Sequence, residues 1–169
     1  MPQKLAQTET DAGVAMEKLR CWLARRGFAL QSRRGLPDEV DLLERVVTIN
    51  AASGYQARLA ALLHECGHVR IFLSRMRRPN KRVFGVSLVE DLGCSGRCDR
   101  RGRRARLALL QEEIAAWDSG EQLAGQLQVR FARGKLEKLR QESLMTYVHF
   151  TASRMRGEGR ACGRVKRKR

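Results

Sequence analysis

The chain has 169 residues, one domain's worth, and its 43% apolar residues suffice for a core. Against 18 Asp and Glu stand 34 Lys and Arg, a net charge of +16. That charge excludes an ordinary near-neutral secreted enzyme and points to an anionic partner: nucleic acid, a phospholipid surface or an acidic protein. No apolar run approaches the roughly 18 residues of a membrane span, so no membrane partner is expected. The first residues lack the apolar core of a secretory signal, and the five cysteines are expected as reduced thiols in the cytoplasm.

In chain order, residues 12–26 set Val14, Met16, Leu19, Trp22 and Leu23 at helical spacing, with Gly27 as the stop. Residues 28–33 read as a first strand, Gly35–Asp38 as a turn, and the β-branched run 45–50 as a second strand. Ser53 and Gln56 have the form of a capping box that opens a helix through Met76. Residues 75–106 form a basic insertion with turn signals at Pro79, Gly85, Gly93, Gly96 and Gly102, and a short strand over 83–89. A strong helical pattern fills 106–132, with a break expected near Gly120, and a last helix fills 136–155. The Gly- and Arg-rich tail 154–169 lacks apolar residues to offset its ordering entropy and is expected to be disordered.

The residues that carry chemistry are His64-Glu65-Cys66-Gly67-His68. Positions i and i+4 lie on one helix face, so both imidazoles can reach one Zn²⁺. Bound zinc lowers the pKa of a water molecule. Glu65, one residue beyond the first ligand, is placed to take its proton as general base, and the attack falls on a polarised carbonyl. Cys66 reads as packing. The small Cys66 and Gly67 are expected to let a chain or substrate approach the metal. A catalytic zinc needs a third protein ligand, and the candidates are Glu113, Glu112 and His149. Asp118 is a candidate for orienting a ligating histidine; Tyr147 and His149 are candidates for stabilising the transition state. Cys94 and Cys98 supply only two ligands and are expected as free thiols rather than a second metal site.

The strand 45–50, the helix carrying the motif and the downstream Glu-bearing helix resemble the ImmA/IrrE-type metallopeptidases of the gluzincin clan. The resemblance covers about residues 40–125. It implies one zinc held by His64, His68 and a glutamate on the next helix, where Glu113 stands four residues before Trp117. It also implies a phage or bacterial setting and a protein or peptide substrate, such as a DNA-bound regulator. The expected class is therefore α+β: a mostly helical zincin-like metallopeptidase domain over 1–153, with a small N-terminal sheet and the basic insertion.

Of the net +16, the insertion contributes 11 basic and 3 acidic residues and the tail 8 and 1, so these two segments hold +15. Arg75, Arg77, Arg78, Lys81, Arg82, Arg100, Arg101, Arg103 and Arg104 are therefore candidates for contacting DNA or RNA, in keeping with a nucleoid-associated protein. Phe84 is the sole aromatic in the insertion, which favours phosphate contact over base stacking. Two other readings remain. One is a nucleic-acid-binding accessory protein on a non-catalytic zincin scaffold. The other is an SprT-like protease of DNA–protein crosslinks, with His149 as third ligand.

Overall fold

The computed structural model describes residues 3–83 and 103–158. The expected strand 83–89 past its first residue, Cys94, Cys98, Arg100, Arg101 and the tail beyond 158 lie outside the described residues. The architecture is α+β and mostly helical: α1 (Gln3–Ala24), β1 (Ala29–Arg33), β2 (Glu39–Asp41), β3 (Val46–Asn50), α2 (Tyr55–Met76), α3 (Arg103–Leu127) and α4 (Lys135–Glu158).

Helix α1 buries Ala15, Leu19, Trp22 and Leu23, a stripe at i, i+4, i+7 and i+8. It ends in a Schellman motif. Gly27, at φ +75°, bonds back to the Ala24 carbonyl, and the Phe28 N–H reaches the Leu23 carbonyl at 3.1 Å. Phe28, 2% exposed, then carries the chain into the sheet. The helix starts well before residue 12, because residues 3–11 tolerate a helix without showing an apolar period.

The sheet order is β1-β3-β2. Strand β3 pairs parallel with β1 and antiparallel with β2. Its central residues Val47, Thr48 and Ile49 are all buried, as a strand covered on both faces requires. Strand β2 was not legible, since Glu39–Asp41 has three residues and a single apolar one. Asn50 secures the loops beside it. Its side-chain oxygen accepts from the Gly35 and Ala52 N–H groups, and its own N–H donates to Asp38 Oδ1 at 2.6 Å.

Helix α2 is buried nearly all round; Leu62 through Gly67 is a continuous buried run. The expected capping box does not form. Gly54 is the N-cap and no side chain caps the helix, so the first turn begins one residue later than a Ser53 cap would place it. Helix α3 runs unbroken through Gly120, correcting the expected break. A Cβ on Gly120 would stand 2.5 Å from the Leu63 carbonyl oxygen, and one on Gly67 only 1.9 Å from that of Ala116. These glycines let α2 and α3 approach backbone to backbone. The space at Gly67 is therefore filled by α3, and Cys66 is fully buried, so neither opens a path to the histidines. Helix α3 ends in a second Schellman motif, with Val129 N–H to the Ala124 carbonyl at 2.8 Å and Gln128 held at φ +53°. Lys18 Nζ donates to the Leu127 carbonyl at 2.9 Å, tying α1 to that end.

Candidate metal centre

One turn separates His64 from His68, and both rings point to the same side of α2. Their Nε2 atoms are 3.2 Å apart and the rings meet edge to face. Glu113 enters from α3, three residues before Ala116, so the contact between Gly67 and Ala116 sets its height opposite the two rings. Its Oε2 lies 3.1 Å from His64 Nε2 and 3.7 Å from His68 Nε2. These three residues could hold a metal ion.

The triangle can be tested against coordination geometry. In a tetrahedral site with bonds of about 2.0–2.1 Å, neighbouring ligand atoms stand roughly 3.3–3.4 Å apart. The observed sides of 3.1, 3.2 and 3.7 Å bracket that spacing. Two imidazole nitrogens and one carboxylate oxygen also form the donor set that a borderline divalent cation prefers. The residues fit the group.

The electrostatics agree with a site built for positive charge. Burial alone would raise Glu113. The imidazoles of His64 and His68 beside it hold it down at about 2 instead. Burial pulls His68 down, but the nearby carboxylates of Glu113, Glu65 and Glu112 outweigh it and raise His68. His64 is lowered, chiefly by burial. Glu65 is 6% exposed, and burial raises its carboxyl to about 7, with opposition from His68. The Tyr147 phenol is pushed up to about 12, first by burial, then by the nearby Glu113 carboxylate. It stays protonated and able to donate.

Two neighbours flank the histidines. Trp117 stacks on His64 with centroids 4.7 Å apart and planes at 27°. Glu112 Oε1 lies 3.9 Å from His68 Nδ1, the ring nitrogen facing away from the triangle. Glu112 thus stands behind a histidine rather than beside Glu113 as an alternative ligand. Neither role was visible in the sequence, although Trp117 lies one helical turn after Glu113.

Other expected residues are not brought to the site. His149 is exposed on α4 and outside the triangle. It follows Tyr147 by two residues, about 200° around the helix, so it faces away when Tyr147 faces Glu113. Asp118 orients no histidine; its Oδ1 accepts from Arg140 Nη2 at 2.6 Å, on the surface between α3 and α4. Arg75 is 6% exposed and does not present its guanidinium to a phosphate, whereas Arg77, Arg78, Lys81 and Arg82 are exposed. Arg103 and Arg104 open α3. No described helix is long and apolar enough to cross a membrane.

Comparisons with family models, curated proteins and solved structures yield no match to this chain.

Proposed function

We propose that the protein is a zinc-dependent metallopeptidase of the gluzincin type, with His64, His68 and Glu113 as ligands and Glu65 as general base. The observation that carries this reading is the ligand triangle itself: three donor atoms from two helices near tetrahedral spacing, two of them on buried residues and one on a half-buried residue. The ImmA/IrrE resemblance suggests a regulatory or DNA-associated protein as substrate. When bound, zinc would supply Lewis acidity, lowering the pKa of water and polarising the scissile carbonyl.

The chain's own residues do the rest. Glu65 follows His64 in the buried run of α2, one residue beyond a ligand, where a carboxylate can serve as proton acceptor. It can return that proton to the leaving amine. Tyr147 lies near Glu113, and Glu112 stands behind His68; a phenol and a carboxylate at these places favour ligands aimed inward. Trp117 fixes the plane of the His64 ring.

The test is metal content with turnover. Purified wild type should carry about one zinc per chain and hydrolyse a fluorogenic casein. Glu65→Gln should keep the zinc and lose hydrolysis. Folded wild type that takes up no zinc would overturn the reading.

A further inference from the structure

The last turns of α1 and α2 enclose a surface groove of about 700 Å³, lined by Trp22, Arg25, Arg26, Leu73, Met76 and Arg77. Its charged lining is arginine alone. Arg26 lies over the Trp22 ring, 3.9 Å from its centroid, and donates to the Trp22 carbonyl at 3.0 Å. Arg25 and Arg77 are exposed.

Arg25, Arg26 and Arg77 form no ion pair with any described residue. Other arginines do find acidic partners: Arg20 pairs with Glu17, and Arg140 with Asp118 and Glu121. The crowding is felt locally, since burial and then the like charges of Arg70, Arg25 and Arg77 lower Arg26. A groove whose walls repel one another is stabilised by an anion between them. Past Arg77 the chain continues through exposed Arg78 and Lys81, which extends the positive surface beyond the groove.

We propose that this groove between the ends of α1 and α2 binds the phosphodiester backbone of nucleic acid. The guanidinium fork suits phosphate oxygens. Duplex DNA presents a charge roughly every 1.7 Å of its axis, so a strip of several arginines finds partners along its whole length. The Trp22 ring is buried beneath Arg26 and offers no platform for a base. Contact is therefore with phosphate and independent of base sequence. Arg77 follows His68 by nine residues on the same helix, about 14 Å along its axis. Nucleic acid in the groove would lie near the metal centre without entering it. The inference does not depend on that centre being catalytic.

The test uses the full chain and a fluorescein-labelled 20-base-pair duplex of random sequence, followed by fluorescence anisotropy across a salt series. The Arg25→Gln/Arg77→Gln double variant is compared with wild type and with Lys135→Gln/Lys138→Gln on α4, which removes the same charge elsewhere. Zinc content and circular dichroism verify that each variant is folded. The groove variant should bind about ten-fold more weakly near 0.15 M salt, with a slope of log K against log salt shallower by about 2. The α4 variant should stay within about two-fold of wild type. Equal losses in both variants, or none in the groove variant, would overturn the proposal. So would equally tight, equally arginine-dependent binding of poly-glutamate, which would assign the groove to an acidic protein.

Discussion

Gly67 and Ala116 meet backbone to backbone: a Cβ on Gly67 would stand 1.9 Å from the Ala116 carbonyl oxygen. That oxygen belongs to a helix and cannot swing aside. Gly67→Ala should therefore push α2 and α3 apart and destabilise the fold by about 3 kcal/mol, the upper part of the range for overpacking. Glu113 moves with α3, so the variant should also lose zinc affinity more than Cys66→Ala, a change that leaves the helix spacing alone. Thermal melting and a zinc titration check both effects.

The two adjacent glutamates should separate cleanly. Glu113→Ala removes a ligand atom and should abolish stoichiometric zinc. Glu112→Gln removes the carboxylate behind His68 Nδ1 and should weaken zinc about ten-fold while leaving one zinc per chain. His149→Ala should leave zinc content unchanged, since His149 lies outside the triangle. Metal analysis after dialysis against a graded chelator reads all three.

How much of this was legible follows from where the information resides. The pairing of His64 with His68 could be read because ligand spacing on one helix is a local property. Glu113 could be narrowed to a small set because a carboxylate amid apolar residues needs a compensating partner. The contact of Gly67 with Ala116 and that of Gly120 with Leu63 were not readable. Both join segments about fifty residues apart, and a helical glycine looks the same whether it breaks a helix or admits a neighbour. Arg75 looked like its exposed neighbours in a basic run, yet the turn of α2 carries it inward while Arg77 and Arg78 remain outside. Position around a helix, not composition, decides such cases.

Glu65 makes stability depend on pH in the metal-free protein. Its folded pKa, about 7, lies above the ordinary 4.5. The stability it confers is complete below 4.5 and is lost as pH rises through about 7, an effect of about 3 kcal/mol. Glu65→Gln cannot ionise. In the presence of chelator, the melting temperature of the variant should therefore rise relative to wild type between pH 4.5 and pH 7, by roughly 10 °C, and level off above. A constant difference across that window would show that the carboxyl titrates normally.

Gln128 occupies the left-handed position that closes α3, at φ +53°. A side chain there is strained, and glycine is not. Gln128→Gly should stabilise the protein by about 0.5–1 kcal/mol, less than the full strain because the unfolded chain gains freedom. The melting temperature should rise by about 2 °C. The reverse change at the matching position of α1, Gly27→Gln, should be destabilising, and the pair of melts measures the cap itself.

The glycine contacts between α2 and α3 have a consequence for how an ion arrives. The helices are locked by carbonyls resting on bare α-carbons, a dry seam that owes nothing to the histidines. The three donor atoms are thus already at coordination distance in a socket made by packing. A chain of this design should stay folded with the triangle empty and take up an ion without refolding. Its occupancy would then follow the free ion concentration around it rather than the history of its folding.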